Sequence, residues 1–143
     1  MPAASDSTHT DPVTTVRYLY EAFGQRDVER SRQLLHPDVE WIQCPGFPGG
    51  DHRRGAEEVL EKVFGGLHTV WDDFGLRIDE YLNAGKDVIV LGAYHGTHTE
   101  TQRRMEAVFA HVYEVVDGRV TRFRQYTDTW PMVAALRDLD LDN

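Results

Sequence analysis

The feature that most constrains this chain is its last third, where two apolar stretches, 105–116 and 119–129, meet at Asp117-Gly118. An Asp-Gly pair between alternating apolar residues supplies the positive φ of a tight reversal, so the two stretches are expected as an antiparallel hairpin. In the first stretch both strand parities are apolar: Met105, Ala107, Phe109 and Tyr113 on one, Val108, Ala110 and Val112 on the other. A strand that is apolar on both faces has to be covered on both. Helices are expected to cover one face and a second copy of the chain the other, which makes a homodimer through the outer sheet face the expected assembly.

The elements before the hairpin follow the same kind of reasoning. Asp11 is placed to cap a helix with Pro12 in its first turn and Val16, Leu19, Tyr20 and Phe23 on one face. That helix is expected to end near Gly24-Gln25. A short helix restarts at Asp27 and stops at His36-Pro37, because a residue before proline avoids the helical region. Residues 39–44 read as a strand, the Pro45-Gly46-Phe47-Pro48-Gly49-Gly50 run as a loop, and 56–67 as a third helix with Val59, Leu60, Val63, Phe64 and Leu67 inward. From Val70 the period becomes two, with strands expected over 71–83 and 87–99 across an Ala84-Gly85 turn, followed by the closing hairpin. Residues 130–139 read as a short terminal helix. The fold class is therefore α+β: a highly curved, mostly antiparallel sheet wrapped around helices to form a cone-shaped pocket, in the order ααβαββββ plus a C-terminal helix.

Composition narrows the function. At 143 residues the chain fits one domain, expected over 12–139, with a flexible tail over 1–11 and a frayed end over 140–143. Cys44 is the single cysteine, so no disulfide framework or thiolate cluster is available, and a cytoplasmic location is expected. A net charge of −9, with Arg53-Arg54 and Arg103-Arg104 as isolated pairs, argues against nucleic acid as a partner. No stretch approaches the length of a membrane span.

The Tyr20-Glu21-Ala22-Phe23 segment running to Asp27, the His36-Pro37-Asp38-Val39-Glu40-Trp41 step, Arg54-Gly55 and Gly92-Ala93-Tyr94-His95-Gly96-Thr97-His98 stand in a characteristic order. With Asp117-Gly118-Arg119-Val120 running to Asp128-Thr129, they make the chain resemble a SnoaL-like protein within the ketosteroid isomerase and nuclear transport factor 2-like superfamily. The resemblance spans about residues 13–130 and implies the cone fold. It implies function less sharply, because the fold carries isomerases, cyclases, epoxide hydrolases and proteins without activity.

In the isomerase pattern the tyrosine falls nearest Leu19, the base around Gln43 or Cys44, and the oxyanion aspartic acid at or beside His111, so steroid isomerisation by that machinery is unsupported. The polyketide cyclase pattern places an acid/base aspartate at the end of the last strand, where this chain has Asp128, and a histidine on the neighbouring strand, where it has His111. The resemblance thus implies a cofactor-independent enzyme that moves a proton through Asp128, assisted by His111, on an apolar carbonyl compound.

Alongside that pair, Tyr20, Trp41, Phe109, Tyr113, Arg124 and Tyr126 are expected to bind the substrate, a small hydrophobic molecule. Two other readings stay open. Asp128 is equally placed to cap the terminal helix, which would leave a non-catalytic ligand-binding or dimerisation domain. Arg124 beside Asp128 is similar to the Asp-Arg-Asp arrangement of limonene epoxide hydrolase, although the second carboxylate is replaced by His111. No metal site is expected, since His95 and His98 lie three apart on a strand and face opposite ways.

Overall fold

The computed structural model describes residues 11–140. The tail expected over 1–11 lies outside the described residues except for Asp11, and so does most of the end expected to fray. Helix α1 (Pro12–Gly24) opens as its sequence dictates: Pro12 stands in the first turn and the Asp11 carboxylate accepts the Val13 N–H at 3.1 Å. Helix α2 (Val28–Leu34) is capped by Asp27, which accepts the Arg30 N–H at 3.0 Å. The chain then turns directly into strand β1 (Leu35–Ile42), so Pro37 sits in a strand whose φ it suits.

A three-residue strand, β2 (His52–Arg54), pairs antiparallel with β1. It adds one strand to the expected order, since three charged or polar residues carry no alternation to read. Gly55, at φ 103°, turns the chain into helix α3, which covers 56–70. Its middle, Val59–Phe64, is widened to a π-helix, with the Gly65 N–H bonded to the Leu60 carbonyl five residues back.

Strands β3 (Trp71–Ala84), β4 (Asp87–His98), β5 (Arg104–Val116) and β6 (Arg119–Thr127) form an antiparallel meander, and helix α4 (Trp130–Leu136) closes the described chain. Asp117 and Gly118, at φ 52° and 77°, make the left-handed pair that a tight hairpin needs. Across the sheet the order is β2-β1-β6-β5-β4-β3, with β1 parallel to β6. Register shifts along β3, between Asp72 and Gly75 and again between Ile78 and Glu80, bend the sheet into an unclosed curve. Among the described residues, no helix is long and apolar enough to cross a membrane.

The two faces of the sheet differ as β5 requires. Met105, Ala107, Phe109, His111, Tyr113 and Val115 are all buried, whereas Val108 on the other parity is 60% exposed. Neighbouring strands follow the pairing: Val88, Val90 and Tyr94 of β4 point inward with Tyr113, His111 and Ala107. In β6, Phe123 points inward with Tyr113, and Gln125 with His111. Trp41 of β1 stacks on Phe123 with ring centres 3.9 Å apart, which ties the parallel edge to the core.

One position of β4 leaves no room for a side chain. A Cβ at Gly92 would lie 2.2 Å from the Arg77 carbonyl oxygen and 2.9 Å from the Phe109 ring. Gly92→Ala is therefore expected to destabilise the fold by about 1–3 kcal/mol through overpacking, read as a lower urea midpoint at unchanged slope. A midpoint within error of the parent would show that the bend is not held by this contact.

Candidate functional site

A cavity lies between the inner sheet face and the helices, about 440 Å³ of space when the open solvent at its mouth is included. Its walls are almost wholly apolar. Helix α1 supplies Leu19, Tyr20 and Phe23, α3 supplies Val63, Phe64 and Leu67, and the loop after β1 supplies Phe47. The sheet supplies the polar floor: Tyr94 from β4, His111 and Tyr113 from β5, and Gln125 from β6.

His111 is the centre of that floor. Its ring is 3% exposed and stacks on Phe109 with centres 3.9 Å apart, while Nδ1 lies 2.7 Å from the Tyr20 hydroxyl and Nε2 lies 2.5 Å from the Tyr94 hydroxyl. Burial holds the imidazole pKa well below its ordinary value, so the ring is neutral near pH 7 and carries one N–H and one lone pair. The surrounding bonds decide which nitrogen holds the proton. The Gln125 carbonyl oxygen accepts the Cys44 N–H at 3.3 Å, which turns the amide so that Nε2–H donates to the Tyr94 hydroxyl at 2.8 Å.

Tyr94 oxygen is thereby an acceptor already, and its own O–H needs a buried partner; the His111 Nε2 lone pair is the one within reach. His111 then carries its proton on Nδ1 and donates it to the Tyr20 oxygen. The chain of donors runs in one direction, from the Cys44 backbone through Gln125, Tyr94 and His111 to Tyr20. Tyr20 stands beside Tyr113, and its proton is the one left for Tyr113 or for a guest in the cavity. Burial pushes the pKa of Tyr94, Tyr113 and the inner end of Tyr20 upward, so all three are donors rather than phenolates at neutral pH.

The expected site residues divide between the two faces. Tyr20, Trp41, His111 and Tyr113 line the cavity, and Phe109 stands behind His111 as its stacking partner. Asp128, Arg124 and Tyr126 do not reach it, which corrects the expectation that they share its interior. The pairing register gives the reason: Val112 opposes Arg124 and Ala110 opposes Tyr126, so this parity of β6 lies on the outer face. Asp128 is exposed, its N–H bonded to the Val108 carbonyl at 3.1 Å and its carboxylate accepting the Trp130 N–H at 3.2 Å at the entry to α4. Among the described residues, no carboxylate and no arginine or lysine lines the cavity.

Gln125, Tyr94 and Gln43 are the polar residues of the wall that sequence reasoning passed over. The signal for Gln125 was its parity with Phe123, an apolar residue that has to point inward. Away from the cavity, His98 is buried against Trp71 while His95 is exposed, and among the described residues no group of three metal-ligating side chains comes together.

Comparison with known proteins fits this geometry. The family model described as SnoaL-like domain matches residues 16–123. The chain belongs to the SnoaL-like family. Among solved structures it is similar to a nuclear transport factor 2-like (NTF2-like) protein of Burkholderia thailandensis, with 32% identity, a TM-score of 0.84, and coverage of 89% of this chain and 98% of that one. An NTF2-like protein of unknown function from Burkholderia pseudomallei shares 29% identity at a TM-score of 0.79, covering 88% of this chain and 97% of its own. IdmH of Streptomyces antibioticus, described as a candidate polyketide cyclase, shares 28% identity at a TM-score of 0.75 over 90% of this chain and 99% of its own. Among curated proteins, none matches the chain. The SnoaL-like family thus accounts for the cone.

A neutral histidine buried in the folded state makes stability depend on pH. The unfolded chain takes up a proton near pH 6.5 that the folded chain refuses, so stability is full above that pH and falls below it by up to about 1.4 kcal/mol per pH unit. His111→Gln is expected to flatten the urea-midpoint profile between pH 7.5 and 5, with the remaining slope including His68, whose pKa burial also lowers. An unchanged slope in the variant would mean that the imidazole is not the group that resists protonation.

Proposed function

We propose that this chain is a small-molecule enzyme of the polyketide cyclase or isomerase kind, acting without a cofactor on an apolar carbonyl compound held in the cone. The observation that carries this reading is the one-way hydrogen-bond chain that ends on Tyr20 inside an apolar cavity. A carbonyl oxygen set against Tyr20 would receive its O–H, and as an α-proton passes to a water molecule at the cavity mouth and negative charge grows on that oxygen, the bond strengthens, because the surrounding walls are almost wholly apolar. His111 acts behind Tyr20 as a positioning residue: its Nδ1–H fixes the tyrosine oxygen and orients the remaining proton toward the guest. Aromatic walls from α1 and α3 supply the apolar contact that holds the carbon skeleton.

A second reading, ligand binding without turnover, is favoured by the absence of any carboxylate on the cavity wall among the described residues, since carbon deprotonation needs an acceptor. The two readings separate on 2-tetralone, an apolar bicyclic ketone whose α-hydrogens exchange with deuterated water at a rate followed by NMR. The enzyme reading expects faster exchange than in buffer, a loss of about 10²-fold in Tyr20→Phe, and no change in Asp128→Asn. Binding of 2-tetralone without faster exchange supports the binding reading, and a large loss in Asp128→Asn would contradict the geometry on which both rest.

The covered-strand argument extends to assembly. We propose that a second copy covers the outer face, where Val108, Ala110 and Val112 of β5 lie beside Tyr126. Support comes from charge as well: Arg124, whose Nε is buried without a partner, and the exposed Asp128 lie on that side, so a two-fold related copy meets both signs. Light scattering at micromolar concentration is expected to give twice the chain mass, and Val108→Asp to give the monomer. A monomeric parent would refute the interface.

A further inference from the structure

A second hollow adjoins the cavity and shares part of its wall: Gln43, Phe47, Val63 and Leu67 border both. Helix α3 produces this arrangement. Val63 and Leu67, four apart, form the shared ridge, and the stripe beside it, Lys62, Gly66 and Val70, lines the adjoining hollow. Pro48 and Gly49 of the loop and Trp71 at the start of β3 complete its border, around a space of about 400 Å³ counted out to solvent.

Among the described residues, Lys62 is the only charged one that borders either hollow. The chain has two lysines, and the other, Lys86, is paired with Glu114 at 3.3 Å. Lys62 has no ion pair among the described residues, and the acid one turn back, Glu58, is taken by Arg53 at 3.2 Å. In a chain of net charge −9, a cation left without an acid beside an apolar cavity is a place for an outside anion.

Gln43 provides an independent observation on the shared wall. It is 9% exposed, and its Oε1 is buried without a hydrogen-bond partner. An unfilled buried acceptor costs about 1–3 kcal/mol, which a donor on a bound molecule would recover.

We propose that the ligand of this cone is an amphiphilic acid, with its apolar body in the cavity, a hydroxyl or N–H given to Gln43 Oε1, and a carboxylate or similar anion at the Lys62 ammonium. This rests on the reading of the cavity as a small-molecule site and names the class of molecule it takes. The two hollows then act as one site with an apolar end and a charged end. Tyr20 and His111 meet the carbonyl at the inner end, and Lys62 holds the molecule's other end.

Two dyes with one skeleton test the charge directly: 1-anilinonaphthalene-8-sulfonate, and N-phenyl-1-naphthylamine, which lacks the sulfonate. Fluorescence titration of the full chain is expected to show the sulfonate binding more tightly, and Lys62→Met to weaken it about tenfold while leaving the neutral dye unchanged. Lys86→Met, an equal charge change away from the cavity, is expected to alter neither. Neutral-dye binding together with sulfonate binding indifferent to Lys62→Met overturns the acid proposal alone. Failure of both dyes to bind, or binding of both unaffected by Phe64→Trp, which narrows the cavity, overturns the cavity reading along with it.

Discussion

A neutral imidazole held between two tyrosine hydroxyls is the interaction on which the inner half of this molecule depends. His111 is inside because β5 alternates and its inward parity is otherwise Met, Ala, Phe, Tyr and Val, so the ring has to be buried if the strand is to pack. Once buried, it is stable only as the uncharged form with both nitrogens matched, and only a donor on one side and an acceptor on the other can do that. Tyr94 and Tyr20 occupy those places, and Gln125, oriented by the Cys44 backbone, determines which is which. A structural requirement, satisfying one buried histidine, therefore leaves a polarised hydroxyl facing an apolar space.

The register that places His111 also disposes of Asp128. Opposite His111 on β6 is Gln125, so every residue of even number from Arg122 to Tyr126 faces outward, and Asp128 continues along that side to the turn before α4. The two catalytic positions of the polyketide cyclase pattern are present in this sequence yet on opposite sides of the sheet. One strand's alternation thus assigns two separate tasks: the inward parity of β5 and β6 builds the cavity floor, and the outward parity builds an apolar, charge-bearing face.

Most of this frame was legible in the sequence because it rests on local chemistry. Asp11 with Pro12, Asp27, Gly85 and Asp117-Gly118 each impose a backbone conformation, and helices and hairpins begin and end where they stand. The cone itself was legible through the family resemblance. What sequence left out depends on contacts distant along the chain. The parallel pairing of β1 with β6 joins residues about eighty positions apart, β2 is too short to alternate, and the π-widening of α3 has no composition signature. The division of site residues was within reach: Phe123 between Arg122 and Arg124 points to the core, which by alternation sends Arg124 and Tyr126 outward.

The division between rigid strands and a modified helix has a consequence for how such a domain changes function. Residues of the floor are locked by sheet register and by each other; replacing Tyr94 or Gln125 leaves a buried group unmatched, so these positions resist change. The walls from α3 are under no such constraint. In its π-widened stretch, neighbouring residues open onto different spaces: Lys62 borders the outer hollow, Val63 borders both hollows, and Phe64 borders the cavity. Substitutions there alter the volume and charge met by a guest without disturbing a hydrogen bond of the floor. A fold of this kind can keep one hydrogen-bonded floor while exchanging the molecule it receives, which is the physical content of a family whose members share a cone and differ in chemistry.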